Sequence, residues 1–481
     1  MADARKAVLE KFKRANRYAT YGAVINKLEI SGFRGINEKI EINSPIVAIT
    51  GLNGAGKSTI GQIFLCGYKA PPTSKLAKRY YLKDFFPASV ADPTPFTDNA
   101  SVKFFYQTDK PDEDQSLTIS RANKEWAGYK RQPERNCFYV GFTLYIPKVE
   151  RRDMSIYGSK QIELTAIREF AKGNEYVGKI LGCAYDGVHF QGIKRKGKNA
   201  ELGIASRYGH QYSENNMGFG EGRAVYMAHL LETSPEQSLF VIEEPETSLH
   251  ESAQHEIIKY FFDVASRRHH QIIITTHSTA IMEAVPTEGR LFIHRDATGV
   301  KAFNGLSSNR VRSALSQGHA GKTLICVEDE FAKSFIIEIL RLAEPNTLKA
   351  VSFVPAGDTK AVINAKELFD IAKIKCIAIR DGDIGSDESK KIYSLPGTLP
   401  PEKEVFLNPL VQERILKELN VDWKDLLARH PEANHHQYAE LLASESLSPI
   451  EHVKTCAIKW FLEAVGRDWW VGFSKKIIAE I

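Results

Sequence analysis

Short runs of apolar residues, each ending in polar or glycine-rich sequence, are the dominant pattern along this chain. Ile46-Val47-Ala48-Ile49 leads into Gly51-Leu52-Asn53-Gly54-Ala55-Gly56-Lys57-Ser58-Thr59. Ser238 to Ile242 ends in Glu243-Glu244-Pro245-Glu246, and Gln271 to Thr276 ends in His277-Ser278. Apolar runs without alternation predict strands buried on both faces, as in a parallel sheet. The pattern restarts after Gly321, with strands predicted at Thr323–Val327, Ala350–Val354 and Lys375–Ile379. Helices are predicted over Ser58–Cys66, Arg223–Leu231, Phe331–Leu342 and around Ala361–Ala372. Strands alternating with helices give an α/β fold class.

Other stretches read differently. Gln115–Ser120 and Phe138–Ile146 alternate and predict antiparallel strands, while Pro87, Pro93 and Pro95 mark loops. No long heptad pattern occurs there, so residues of about 70–210 predict a compact inserted subdomain rather than a coiled-coil arm. Residues 1–23 predict a helical extension, 24–310 the first α/β domain, 320–406 a second one, and 407–481 a helical segment. Trp423, Trp460, Trp469 and Trp470 in that last segment read as core residues, and His430, His435 and His436 as solvated ones.

Composition narrows the class. At 481 residues with 43% hydrophobic and 26% charged residues, the chain suits two or three globular domains. No apolar run approaches the ~20 residues that span a bilayer, and the start Met1-Ala2-Asp3-Ala4-Arg5-Lys6 leads into no apolar signal segment. Six scattered cysteines without a C-x-x-C pair suit reduced thiols in a cytoplasmic protein. A net charge of +5 announces no global field for nucleic acid. Local basic clusters, Lys194-Arg195-Lys196-Gly197-Lys198 at an expected hairpin tip and Lys11, Lys13, Arg14 and Arg17, fit either solvated faces or phosphate contacts.

The loop after the first strand carries the most specific chemistry. Gly51 to Thr59 fits G-x-x-x-x-G-K-[ST] between a strand and a helix. Asn53, Gly54, Ala55 and Gly56 let backbone N–H groups close around nucleotide phosphates, Lys57 reaches the β- and γ-phosphates, and Ser58, followed by Thr59, offers a hydroxyl to Mg²⁺. At the end of the acidic strand, Glu243 is expected in the Mg²⁺ shell and Glu244 on the attacking water. Taken alone, the acidic end also fits a solvent-facing turn. In the second α/β pattern, Glu328 and the pair Asp381 and Asp383 fall past strand ends that share one sheet edge. Three carboxylates there can hold one or two Mg²⁺ or Mn²⁺ ions for phosphodiester cleavage, although an isolated Asp-x-Asp is commonly a solvated loop.

Order adds a resemblance. Phosphate loop, Met217-Gly218-Phe219-Gly220-Glu221-Gly222, acidic strand and Thr275-Thr276-His277-Ser278 together resemble the ABC-type ATPase heads of the SMC-like group, as does Leu28-Glu29-Ile30-Ser31-Gly32-Phe33-Arg34-Gly35. The resemblance covers about residues 24–305. It implies that His277 contacts the γ-phosphate, that Gly218 and Gly220 act on ATP bound by a second copy, and that the chain forms a homodimer or higher oligomer through these heads. Gln107 is the candidate for the Mg²⁺-sensing glutamine.

Glu243-Glu244-Pro245-Glu246-Thr247-Ser248-Leu249-His250 is similar to the defence-type and OLD-family members. The strand–Glu328, glycine turn and strand–Asp381-x-Asp383 set resembles a Toprim domain, and ATPase followed by Toprim resembles the OLD family of ATP-dependent endonucleases. That resemblance implies DNA as substrate and anti-phage defence, alone or with a partner protein or nucleoprotein; related ATPase–Toprim proteins serve as retron effectors. Leu399-Pro400-Pro401-Glu402-Lys403-Glu404-Val405-Phe406 is similar to a segment that follows Toprim, which brings Glu402 or Glu404 to the metal site. The family often has a second Glu four residues after the first, where this chain has Ala332, with Glu330 the nearest substitute. The departure favours an alternative: an ATPase scaffold or sensor with an inactive Toprim fold that controls a partner toxin.

Overall fold

A computed structural model describes residues 4–74, 77–91, 95–122, 125–146, 162–195, 198–296, 299–306, 322–371 and 374–481. Pro93, Lys196, Gly197, Ala372 and the expected boundary between 310 and 320 lie outside these residues. The chain divides into two compact units, Met1–Gly305 and Leu306–Ile481.

The first unit is built on an 11-stranded mixed sheet. In chain order its strands are β1 (Ile25–Phe33), β2 (Ile36–Glu41), β3 (Ile46–Gly51), β4 (Phe96–Gln107), β5 (Asp114–Ala122), β6 (Glu125–Ala127) and β7 (Cys137–Val140). A separate antiparallel sheet follows, β8 (Glu163–Glu169), β9 (Gly187–Arg195), β10 (Lys198–Arg207) and β11 (His210–Ser213). The main sheet then resumes with β12 (Leu239–Glu243), β13 (Gln271–Thr275), β14 (Arg290–Asp296) and β15 (Gly299–Asn304).

Its centre is parallel, in the order β14-β3-β13-β12-β7, and every residue of β3, β12 and β13 is buried. Continuous apolar runs give this result because helices cover both faces of a parallel sheet. The other wing, β6-β5-β4-β1-β2, is antiparallel, and β4 buries alternate residues such as Val102, Phe104 and Tyr106. Phe12, just past the helix Ala4–Lys11, and Tyr21, at the end of the helix Arg14–Tyr21, join the same core as β1 and β3.

Two expectations change here. Phe138–Ile146 is not an antiparallel strand: β7 ends at Val140, pairs parallel with β12, and gives way to a 3₁₀ turn at Phe142–Leu144. Its buried Cys137, Phe138 and Val140 made it a core strand, and periodicity over four residues does not specify the neighbour. The insertion is therefore split, with β4 to β7 in the main sheet and β8 to β11 in the smaller one. The basic hairpin does form, with Arg195 opposite Lys198.

In the second unit a parallel sheet runs in the order β17-β16-β18-β19, from β16 (Thr323–Val327), β17 (Val351–Pro355), β18 (Cys376–Arg380) and β19 (Ile392–Ser394). Helices Glu330–Ala343 and Thr359–Ile371 connect them. Five further helices fill Pro409–Glu480, and their Trp423, Phe461, Trp470 and Ile477 share one core with Ile325, Phe335 and Ile377 of the sheet layer. Trp460 and Trp469 pack against that core. No helix among the described residues is long and apolar enough to cross a membrane.

Candidate functional site

In the first unit, β3 delivers its loop to the N-terminus of helix Lys57–Leu65. Gly56 caps that helix with φ of 108°, a backbone value L side chains rarely adopt, so the glycine spacing is enforced by geometry. Asn53, Gly54, Gly56, Lys57, Ser58, Thr59, Glu244 and His277 line one cavity of about 470 Å³, together with Arg34 and Arg295. Ala55 is buried behind the loop. Lys57 is 7% exposed, and its Nζ donates to the Gly51 and Leu52 carbonyls at 3.0 and 3.1 Å. Burial lowers its pKa while Glu244 and Glu246 pull it back up.

The parallel neighbours β12 and β13 bring the acidic and histidine ends together. Glu243 is buried and accepts from Gln62 Nε2 at 3.3 Å; its backbone carbonyl accepts from the buried Arg223 guanidinium. Glu244 turns out of the strand with φ of 44°, and its Oε1 stands 3.5 Å from His277 Nε2. A non-glycine residue held in that region is strained, and such strain collects at functional sites. Glu246 fixes the histidine loop, its Oε1 accepting from Thr276 Oγ1 at 2.7 Å and from His277 N at 2.8 Å.

Gly218 and Gly220 do not line this cavity. They line another, with Ser248, Leu249 and His250, at the start of helix Phe219–Thr233. A Cβ on Gly220 would clash with the Ser248 carbonyl oxygen, whereas Gly218 has open space around it. Gln107 is also elsewhere: it is buried at the end of β4, with Nε2 directed to the Thr108, Lys110 and Pro111 carbonyls. A strand-end glutamine can satisfy a local turn as well as a cation, and here the turn takes it. The N-terminal basic cluster is likewise engaged within the chain. Arg14 pairs with Asp114 and Lys13 with Glu10, Lys11 bonds the Ser266 carbonyl, and Arg17 is buried on the Phe12 carbonyl.

In the second unit, adjacent parallel β16 and β18 set Glu328 beside Asp381. The Asp381 amide donates to Glu328 Oε1 at 3.3 Å, and Thr359 Oγ1 donates to the same oxygen at 2.8 Å. Asp381 is 8% exposed, and its Oδ1 has no hydrogen-bond partner among the described residues. Burial, then the charges of Glu328, Glu402, Asp329 and Asp383, push its pKa up to about 8. Asp383 is exposed, two residues on.

Helix Pro401–Phe406 adds Glu402, 2% exposed, whose pKa is raised to about 7 by burial and Asp329. Glu404 instead accepts from the Thr398 and Leu399 amides at 2.8 and 3.0 Å. Ala332 is buried and Glu330 pairs with Lys333 at 2.8 Å in solvent, so neither supplies a further carboxylate; Asp329, the N-cap of helix Glu330–Ala343, does. His436 is exposed, as expected, and His435 half-buried, yet His436 Nδ1 lies 3.1 Å from Glu402 Oε1 and 3.5 Å from Asp329 Oδ2. Sequence reading missed Arg34, Arg295, Arg223, Glu246 and Asp329 as site residues. Only Glu246 and Arg34 stood inside quoted motifs; the others were brought in by the fold.

Two family matches cover most of the first unit. The AAA domain family matches residues 27–176, and the AAA ATPase domain family matches residues 158–282. No curated protein matches the chain. Similar solved structures include the SMC head domain from Thermotoga maritima, at 16% identity over 58% of this chain and 98% of that one, with a TM-score of 0.34. Another is an Smc head domain with an extended coiled coil bound to the C-terminal domain of ScpA, from Pyrococcus furiosus, at 14% identity over 61% and 99%, with a TM-score of 0.39. Residues 27–282 are thus similar to AAA-type ATPase domains, which use a nucleotide, typically with Mg²⁺.

Proposed function

We propose that this protein is an ATP-controlled, metal-dependent DNA endonuclease of the OLD type, acting in anti-phage defence. The observation that carries the reading is the half-buried Glu328 set beside the buried Asp381 on one edge of a parallel sheet, with Asp383 two residues on. Asp381 Oδ1, buried without a partner in a cluster of like charges, fits a hard cation. Glu328, Asp381 and Asp383 would hold Mg²⁺ or Mn²⁺, which when bound orients water and offsets charge on the leaving oxygen.

In the ATPase unit, Lys57 and the loop amides bind the phosphates, Ser58 and Glu243 serve the nucleotide's Mg²⁺, and Glu244 accepts a proton from the attacking water. His277, 3.5 Å from Glu244, orients that carboxylate and reaches toward the γ-phosphate. Arg34 and Arg295 add positive charge to the same cavity. Gly218 and Gly220, which face a different cavity, act on the nucleotide of a second copy, so ATP closes a head dimer and gates cleavage.

A second reading, an ATPase scaffold that restrains a partner toxin or nucleoprotein through an inactive Toprim fold, is favoured by Ala332 being buried where a second carboxylate would stand. Incubating supercoiled plasmid and Mg²⁺, with and without ATP, with wild type and with Asp381→Ala/Asp383→Ala separates the two. Cutting lost in the variant is the expected result; cutting unchanged in the variant, or none by wild type, sinks the nuclease reading.

A further inference from the structure

We propose that Glu402, His435 and His436 form a binding site for a divalent transition-metal ion, separate in donor chemistry from the all-carboxylate set of Glu328, Asp381 and Asp383. One ligand atom from each of the three residues falls within 4.8 Å of the others. Two donors ~2.1 Å from a tetrahedral ion stand ~3.4 Å apart, so the group needs only a small contraction around an ion. The separation of 3.1 Å between His436 Nδ1 and Glu402 Oε1 already matches one edge of such a polyhedron.

Three independent features point to a ligand. Glu402 is 2% exposed, yet its Oε2 has no hydrogen-bond partner among the described residues. The two imidazoles lie with centroids 4.0 Å apart and planes tilted by 38° on the one-turn helix His435–Gln437, whose preceding Asn434 forms a reciprocal capping box with Gln437. Asp329 Oδ2 lies 3.5 Å from His436 Nδ1 and places a further negative charge at the edge of the group. Its other oxygen is fixed as a helix cap on the Ala332 amide at 2.8 Å, which orients the carboxylate.

Donor type sets the ion. Imidazole nitrogen suits Zn²⁺ and its surrogate Co²⁺, whereas Mg²⁺ and Mn²⁺ favour oxygen ligands and Mg²⁺ keeps its waters. Two nitrogens and the Glu402 carboxylate therefore select a borderline transition ion, and the carboxylate set of the proposed nuclease centre selects Mg²⁺. The site does not depend on the nuclease reading, because occupancy is read without DNA.

The test uses full-length protein stripped with chelator, exposed to Zn²⁺ alone, then dialysed against excess Mg²⁺ before metal analysis. Wild type and Asp383→Ala are expected to retain one Zn²⁺ per chain, and His435→Gln/His436→Gln to bind it more than about tenfold more weakly. X-ray absorption of the Co²⁺-loaded wild type is expected to show imidazole nitrogen around the ion, which holds whether or not the variant folds. No retention by wild type, equal retention in the double variant, or cobalt without nitrogen ligands overturns the proposal. A chain that retains Zn²⁺ but cuts no DNA keeps this site and loses the nuclease reading.

Discussion

Glu244 and His277 stand on neighbouring strand ends, and the strained φ of 44° at Glu244 turns its carboxylate toward the loop lysine's cavity. If that carboxylate takes the proton from water, Glu244→Gln lowers ATP turnover about 10²-fold or more while nucleotide binding persists. Lys57→Ala removes binding itself, which fluorescent-nucleotide titration would resolve from the turnover defect. Both residues were legible in the sequence because strand, glycine spacing and carboxylate order are local. Arg223 was not: its contact with the Glu243 carbonyl comes from packing of the Phe219–Thr233 helix on the sheet, which no local pattern encodes.

A second residue-scale expectation concerns acid. His270 is fully buried, accepts from the Ser238 amide at 3.2 Å and lies 3.0 Å from the Leu231 carbonyl, an arrangement that uses both nitrogens of a neutral ring. Burial lowers its pKa to about 3. The unfolded chain binds this proton near pH 6.5 and the native one does not. Stability is therefore complete above pH 6.5 and falls as pH drops toward 3, by up to about 1.4 kcal/mol per unit from this group. His270→Asn should lower the slope of unfolding free energy against pH between pH 6 and 4; an unchanged slope would place the acid sensitivity elsewhere.

At the scale of elements, the helix Phe219–Thr233 begins where Gly220 touches the loop carrying Ser248, directly after the acidic turn. Gly220→Ala forces a methyl against a backbone oxygen, so it should destabilise the first unit by about 1–3 kcal/mol in denaturant unfolding. Gly218→Ala, with open space around the site, should leave the monomer's stability unchanged and reduce only the nucleotide-dependent association of two copies. Equal destabilisation by both would contradict the assignment of Gly218 to a second copy's nucleotide.

The same scale shows what alternation of residues conveys. The buried runs of β3, β12, β13, β16 and β18 were readable as strands, since unbroken apolar sequence bounded by glycine or carboxylate has few other solutions. β7 was misread, because whether a short strand pairs parallel or antiparallel is decided by neighbours distant in sequence. The closeness of the exposed His436 and its neighbour His435 to Glu402 was missed for a related reason. Their partner Glu402 is carried on a different helix, and the one-turn helix that presents them has no periodic signature.

For the whole molecule, two α/β units each place their chemistry at the carboxyl ends of parallel strands. One holds the phosphate loop and its acidic strand, the other the buried Asp381 beside the half-buried Glu328. The account joins them by letting ATP binding in paired heads control cleavage by the second unit. Plasmid cutting with Mg²⁺ tests that link most directly, measured with and without ATP for wild type, Lys57→Ala and Asp381→Asn. The account predicts cutting by wild type whose rate changes with ATP, no ATP response in Lys57→Ala, and no cutting by Asp381→Asn. Cutting that ignores ATP in wild type, or that survives in Asp381→Asn, would contradict it.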